Sequence, residues 1–400
     1  MESKIAQAST AIEQLAALDI SNQSTHPEIV RKCQAVISAL QDPAAVVVDA
    51  LASVTKHPCL VVLSNLGIFE KLAGTSESLT AAHLAQESGA DRALVVRLLR
   101  LAAAWGVVAE TGPETYAATG ASRILAIPSA AAGLRVNQRT AELVNSLPKY
   151  LQETQYRNPA SYTNGLFQYH YATDLGSFEY RAADEEWMRD FNLFMRVPNN
   201  AGASWPDTFD AHSRIFDAGV ETNPAAPLVV DVAGGVGQDL RLLKSHLVPA
   251  GITLTKGQLV LEDQPHVIEN VPADMHDEDF TYVKHNFFTP QPLKGARVYT
   301  LKSVLHDWAD DKALEILRHI AASLTPGYSK LWVLDRVVPE TGVDKSLAWL
   351  DISMMAIYGA LERTEGQWRE LLGRAGLRVV GVQATSDHFG LIEAELEGTQ

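Results

Sequence analysis

The chain changes character at Pro224 and Pro227. Before them, apolar residues recur mostly at helical spacing. After them come continuous apolar runs, LVVDV (228–232), QLVLED (258–263), ARVYTL (296–301) and KLWVLDRVV (330–338), separated by helical segments. A half-solvated strand alternates apolar and polar residues, whereas an unbroken apolar run suits a parallel strand covered by helices on both faces. The C-terminal half is therefore expected to be α/β with a mostly parallel sheet. RVVGVQAT (378–385) and GLIEAEL (390–396), joined across SDHF, read as an antiparallel pair closing one edge.

The N-terminal half is helical. Residues 1–40 read as a loose helix. A helix ends near Gly74, Ser78-Leu79-Thr80 opens a second through Ser88, and Asp91 caps a third whose Leu94, Val95, Leu98, Leu99 and Ala102 keep helical spacing. Val107 to Glu110, a Gly112-Pro113 turn and TYAA then suggest a hairpin, which completes a winged-helix arrangement. A helical stretch rich in aromatics follows, including Phe167, Tyr169, Tyr171, Phe178, Tyr180, Trp187, Phe191 and Phe194. The expected divisions are 1–122, a helical connection over 123–215, and the α/β part over 216–400.

Composition narrows the function. With 33 Lys and Arg against 48 Asp and Glu, the net charge is −15, which repels nucleic acid and anionic membranes. Two cysteines, Cys33 and Cys59, make neither a disulfide framework nor a zinc site. MESKIAQAST lacks an apolar secretory core, and the most apolar stretch, Ala44 to Phe69, is cut by Asp49, Lys56 and His57. The chain reads as soluble and cytoplasmic.

Four signals carry chemistry. The first is Asp231-Val-Ala233-Gly234-Gly235-Val-Gly237 between a strand and a helix. It lacks the Gly-Lys-Ser/Thr of a P-loop, and Leu240 stands where a dinucleotide fingerprint needs a small residue, so it suits a ligand without a pyrophosphate. The second is Glu262-Asp263 at the end of the next strand, where a carboxylate accepts ribose hydroxyls; the other reading of Asp263 is a helix N-cap before Pro265. The third is Lys302 to Trp308 at a strand's carboxyl end, with His306 as a candidate base or a satisfied core histidine, and Asp307 as a helix cap. The fourth is Asp335 inside an apolar strand and Glu362 after an apolar helix, which serve His306 or else pair with arginines as scaffolding.

In order along the chain, Asp231-x-Ala-Gly-Gly-x-Gly, Asp263-Gln-Pro-His-Val-Ile, Asn286-Phe-Phe-x-Pro-x-Pro, Leu305-His-Asp-Trp and Asp351 through Glu362-Arg-Thr resemble the motifs of S-adenosylmethionine-dependent O-methyltransferases of the plant caffeate and fungal phenol type. Phe167-Gln-Tyr through Phe178-Glu-Tyr, then Phe191-Asn-x-x-Met195, resemble the fungal branch. The resemblance spans roughly residues 45 to 397 and implies a Rossmann-like catalytic domain with a winged-helix dimerisation region. It implies that Asp231, Gly234, Gly235, Gly237, Asp263, Asn286, Phe287 and Lys302 hold S-adenosyl-L-methionine, released as S-adenosyl-L-homocysteine. It also implies that His306 is the base beside Asp335 and Glu362, with no metal. Trp187, Phe191, Met195, Trp308, Met354 and Tyr358 are expected to line the acceptor pocket.

Three departures stand out. Ala233 replaces a usual Gly, which requires φ below zero there. Asn286 stands where Asp is frequent, and Asp335 where Glu is common, with a shorter reach to His306. The implied reaction is methylation of a phenolic hydroxyl on a flat fungal polyketide or meroterpenoid aromatic, a mycophenolic-acid-type phenol being one candidate. His306 is expected to titrate near the ordinary histidine value, and the chain to pair with a second copy through its N-terminal region. The competing readings are a pericyclase on the same fold, which binds the cofactor without transferring a methyl group, and a DNA-binding regulator using Arg92, Arg97 and Arg100 of the third helix.

Overall fold

The computed structural model describes residues 2–19, 21–22, 25–195, 204–216, 222–223 and 226–398. The chain divides into two compact units, Met1–Arg139 with Glu186–Val197, and Thr140–Glu185 with Pro198–Gln400. Residues of the stretch 123–215 fall in both units. Part of it is fastened within the first unit, because Arg135 grips Asp190 with two hydrogen bonds of 2.8 and 2.7 Å, and part belongs to the second unit.

In the first unit, residues 1–40 form two helices, Glu2–Ala16 and His26–Leu40, rather than one loose helix. Helices Ile68–Ala73, Ala81–Ser88 and Arg92–Ala104 follow the long helix Pro43–Asn65. Thr80 caps at His83 and Asp91 at Leu94, each satisfying an orphan backbone N–H. Strands β1 (Leu79–Thr80), β2 (Val108–Gly112) and β3 (Thr115–Ala118) pair antiparallel in the order β1-β3-β2. Leu63, Phe69, Leu72, Leu84, Val95, Leu99 and Tyr116 form the core. Pro43–Asn65 is long and apolar enough to cross a membrane by length and composition, yet Val47, Val48, Leu51 and Val54 stand exposed on it.

The second unit is built on a sheet of β4 (Val229–Val232), β5 (Leu259–Asp263), β6 (Phe280–Lys284), β7 (Val298–Lys302), β8 (Lys330–Val338), β9 (Arg363–Thr364), β10 (Leu377–Ala384) and β11 (Phe389–Leu396). The order is β10-β11-β8-β7-β4-β5-β6, with the short β9 beside β8. All pairings are parallel except those of β11 with β8 and β10. The apolar runs alternate between faces at period two. Val230, Tyr299, Leu331 and Val333 pack under Leu317, Trp368 and Leu371, while Val229, Val298, Trp332 and Leu334 pack under Trp205, Leu240 and Leu243. The mixed run Phe280-Thr-Tyr-Val-Lys284 is an edge strand that an apolar-run criterion passes over.

Strand order reverses between β4 and β7, so their carboxyl ends frame a crevice where ligands bind in open α/β sheets. The helix Lys345–Tyr358 ends beside it at Gly359, with φ +62. A Cβ at Gly359 would lie 2.6 Å from the Ser161 carbonyl oxygen and 2.7 Å from its nitrogen. Gly359→Ala combines backbone strain with a clash that neither segment can relieve by rotating a side chain. It is expected to lower stability by about 1–3 kcal/mol, read from urea unfolding; an unchanged midpoint would mean that the two segments move apart freely.

Candidate active site

The glycine loop leaves β4 directly above Asp231. That residue is buried, and its Oδ1 accepts from the Thr300 hydroxyl at 2.7 Å, while Oδ2 has no hydrogen-bond partner. Burial first, then the nearby Asp239, pushes its pKa up to about 7. A Cβ at Gly234 would come within 2.4 Å of Oδ2 and 2.5 Å of a Leu261 methyl, so only glycine lets the backbone pass over this carboxyl. Ala233 does not keep φ below zero: its φ is +58, and Gly235 and Gly237 follow at +61 and +83. The loop reverses so tightly that a left-handed conformation begins one residue earlier than glycine would make comfortable, at a cost of roughly 1–2 kcal/mol.

Asp263 ends β5 facing this loop. Its Oδ2 accepts the Gly235 N–H at 2.8 Å and its Oδ1 the Gln264 N–H at 2.7 Å. The helix cap is Gln264, so the N-cap reading of Asp263 fails. A carboxylate offers about four acceptor positions, which leaves room for two hydroxyls. Its neighbour Glu262 is buried and accepts from Gln291, and burial pushes it up to about 7. Asn286 accepts the Phe288 N–H at 3.0 Å, shaping the turn that carries Phe287. Lys302, at the end of β7, donates to Asp239 at 3.1 Å, and Asp239 also accepts from the Trp205 indole. Asp231, Asp239, Thr300 and Lys302 share a cavity of about 10 Å³, room for a single water.

Beyond Lys302 the chain turns through Ser303 at φ +52 into the 3-10 turn Leu305–Asp307, and this strained corner presents His306. Asp307 lies inside that turn; the N-cap of the following helix is Ala309, so Asp307 is not its cap. Imidazole Nδ1 lies 2.7 Å from Glu362 Oε1 and 3.7 Å from Asp335 Oδ1, and the His306 backbone N–H donates to Asp335 Oδ2 at 3.3 Å. Glu362 therefore orients the ring, and Asp335 is held one step back by its shorter chain. With Nδ1–H committed to Glu362, Nε2 is the nitrogen left to accept a proton.

The electrostatics depart from an ordinary histidine. Burial alone would lower its pKa, but Asp335, Asp307 and Glu362 together outweigh it and push His306 up to about 10. Asp307 and Asp335 are each pushed up to about 6, chiefly by burial. Nδ1 and the two carboxylates of Asp335 and Glu362 lie within 4.8 Å of one another, a cluster of titratable groups that spacing along the sequence does not reveal.

Glu362 and Arg363 are placed by β9. The Glu362 N–H donates to Asp351 at 2.9 Å, and the fully buried Arg363 donates to the carbonyls of Leu305 and Trp308 and to Asp310. An aromatic wall adjoins the His306 turn: Tyr162 is 4.7 Å from Trp308 between ring centroids, and Phe178 stacks on Tyr358 at 5.1 Å. Met354 and Tyr358 lie on the adjoining helix, in one cluster with Tyr162 and Phe178. Trp187, Phe191 and Met195 lie on or just after the helix Glu185–Phe194. There the buried Trp187 ring sits 4.7 Å beneath the Arg139 guanidinium and Met195 is exposed.

Sequence reasoning gave no role to Tyr162, Arg181 or Arg363. Arg363 carried a signal as part of the Glu362-Arg-Thr motif, and Arg181 as an arginine in an aromatic run.

A glycine loop at the strand-order reversal, a carboxylate facing it, and a mostly buried histidine held by a glutamate are the features of an enzyme that binds a nucleoside-like cofactor. Family comparison agrees: residues 156–378 match the O-methyltransferase domain and 48–127 the O-methyltransferase dimerisation domain. The O-methyltransferase penC of Penicillium thymicola is 34% identical, covering 94% of this chain and 92% of its own. The demethylsterigmatocystin 6-O-methyltransferase of Aspergillus flavus is 30% identical over 83% and 84%. Two solved structures, LepI in complex with SAM and one titled a pericyclic reaction enzyme, superpose with TM-score 0.85 at 28% and 26% identity, each covering 99% of this chain and 100% of their own. The chain belongs to the O-methyltransferase family.

If Asp263 holds a ribose, its loss removes hydrogen bonds to a charged group. Asp263→Ala is then expected to weaken binding of S-adenosyl-L-homocysteine by about 1.5–3 kcal/mol in calorimetry. Unchanged affinity would leave Asp263 only as the anchor of Gly235.

Proposed function

We propose that the chain transfers a methyl group from S-adenosyl-L-methionine to a phenolic hydroxyl of an aromatic secondary metabolite, with His306 as the general base. The observation that carries the reading is His306 itself: Nδ1 held by Glu362 at 2.7 Å, Nε2 left to accept, and an aromatic wall adjoining its turn. The residues at the loop suit the cofactor. Asp231 Oδ2 is an orphaned buried acceptor under Gly234, and Asp263 has spare acceptor capacity beside Gly235. Gly234, Gly235 and Gly237 would take the amino-acid end, Asp263 the ribose, Asn286 and Phe287 the base, and Lys302 would close the edge.

When bound, the cofactor supplies an electrophilic methyl group on a cationic sulfur. The chain's own part is to make the oxygen nucleophilic. A phenol with pKa about 10 is largely protonated at neutral pH; Nε2 takes its proton, and Glu362, accepting from Nδ1–H, stabilises the imidazolium that forms, with Asp335 supporting it. The flat wall of Trp308, Phe178 and Tyr358 favours a planar apolar acceptor, as does the likeness to a demethylsterigmatocystin methyltransferase. Met354 is proposed to extend this wall; Trp187, Phe191 and Met195 are proposed as acceptor residues on the family resemblance alone, and the protein is proposed to work in the cytoplasm. The pericyclase reading draws support from the likeness to the pericyclic reaction enzyme; the intact His306, Asp335 and Glu362 favour methyl transfer.

The pH dependence follows from the carboxylates. Because they raise the imidazole's proton affinity, the free chain holds imidazolium at neutral pH, and the reactive neutral form grows as pH rises. kcat/KM is therefore expected to climb through the neutral and alkaline range, with a midpoint above the ordinary histidine value of about 6.5 and no higher than about 10. His306→Ala should lose roughly 10²- to 10⁴-fold in turnover, keep its affinity for S-adenosyl-L-homocysteine, and recover partly at high pH where the phenol ionises unaided. A variant methylating at the wild-type rate at neutral pH would sink the mechanism. A wild type that leaves the cofactor unconsumed with its own acceptor, while speeding a rearrangement, would establish the pericyclase instead.

The exposed apolar face of Pro43–Asn65 lies largely within the match to the dimerisation domain, and we propose that it is covered by a second copy, with most of the interface within residues 1–120. Sedimentation at micromolar concentration should give twice the 43.5 kDa chain mass. A single 43.5 kDa species would contradict the proposal.

A further inference from the structure

Arg181 is a buried cation that the mechanism above does not use. It sits in the helix Ser177–Ala182 and is 3% exposed. A guanidinium out of water needs specific company. Its Nε donates to the Ser177 carbonyl at 3.0 Å and its Nη2 to the Tyr358 hydroxyl at 2.8 Å. Its carbon lies 4.9 Å from the Phe178 ring centroid and 5.5 Å from that of Tyr358, so it braces the two rings that stack on one another. Its charge also attracts Asp307, the residue next to the base.

The Tyr358 oxygen, in accepting from Arg181, keeps its own proton free to donate. Burial, opposed by Arg181 and aided by Asp307, raises the pKa of this phenol, so it remains a donor. The charges around His306 come from every neighbouring element: Asp307 from its own turn, Asp335 from β8, Glu362 and Arg363 from the β9 segment, Asp351 through its hold on Glu362, and Arg181 from the helix Ser177–Ala182. Arg181 is the cation in this group that also reaches the aromatic wall.

We propose that Arg181 is a positioning residue of the methyl-transfer site: it fixes the Tyr358 hydroxyl as a donor in the acceptor wall, and it offsets the Asp307 carboxylate beside His306. The acceptor class that follows is a phenol carrying a second oxygen, a carbonyl or another hydroxyl, placed to receive the Tyr358 hydrogen bond. The inference rests on the His306 reading above and adds to it the control of acceptor placement and of base strength.

The test compares kcat/KM against pH, and KM for the acceptor, in the full-length enzyme and three variants. In Arg181→Met, Asp307 acts undamped on His306, so the acid limb should move up by roughly half to one pH unit and the acceptor KM should rise. Arg181→Lys keeps the charge and loses the planar fork, so the limb should stay while KM rises. Tyr358→Phe should raise KM without moving the limb, and more for an acceptor with the second oxygen than for one without it. An Arg181→Met enzyme whose turnover falls equally at all pH values, with the limb unmoved, would reduce Arg181 to scaffolding and overturn the proposal. If that variant fails to fold, unchanged KM in both Arg181→Lys and Tyr358→Phe overturns it equally. A wild-type profile with no acid limb would remove the His306 reading beneath it, and that failure is visible before any variant is made.

Discussion

The site depends on Arg363. Its side chain is wholly buried and donates to the carbonyls of Leu305 and Trp308, the residues on either side of the His306-Asp307 pair, and to Asp310 at the start of the next helix. The same residue pairs with Val337 through β9, and the residue before it is Glu362. One guanidinium therefore ties the turn that bears His306 to the segment that bears Glu362. A 2.7 Å hydrogen bond between His306 and Glu362 tolerates little displacement, and Arg363 fixes the backbone on both sides of it. Its place is demanding for the same reason: the Leu305 carbonyl also accepts the Trp308 N–H, but without Arg363 the Trp308 carbonyl would lie buried and unsatisfied, and that penalty exceeds what one ordinary hydrogen bond contributes.

Much of this was legible in the sequence, and the reason is periodicity. Two-sided apolar runs at 228–232, 258–263, 296–301 and 330–338 could only be covered strands, and they are β4, β5, β7 and β8. Local chemistry was less reliable where the backbone decides. Ala233 was expected on the negative side of φ because that is where a residue with a Cβ rests, but the loop's closure over Asp231 overrides the preference of a single residue. Asp263 and Asp307 were open to a capping reading, since an acid before a helix has no other local signature; the actual caps are Gln264 and Ala309, because Asp263 turns to the Gly235 N–H and Asp307 lies inside the preceding 3-10 turn beside His306.

What no spacing could supply is the meeting of distant segments. Tyr162, Arg181, His306, Asp335 and Glu362 span two hundred residues. Their grouping depends on the strand order and on the close backbone contact of Gly359 with Ser161, which no periodicity encodes. The raised proton affinity of His306 belongs to the same class. Asp335 and Glu362 stood out in the sequence, but no spacing showed that with Asp307, in low dielectric, they would together outweigh the effect of burial on an imidazole.

That grouping also explains why a site this acidic is tolerable. Asp307, Asp335 and Glu362 are three carboxylates, and protonated His306, Arg181 and Arg363 are three cations in the same group. Asp310 is half exposed, so water screens it and it adds little. Asp351, which accepts the Glu362 N–H, is a fourth acid, so the resting group lies within one charge of neutral, and that eases the burial of so many charges at once. Loss of the His306 proton leaves it short by a second positive charge. An enzyme whose base is deprotonated in such surroundings is electrostatically matched to a cationic ligand, and a sulfonium is such a ligand. The acids therefore work in two directions: they make the imidazole hold its proton more firmly than histidine usually does, and they make the deprotonated site attractive to the methyl donor that the reaction requires.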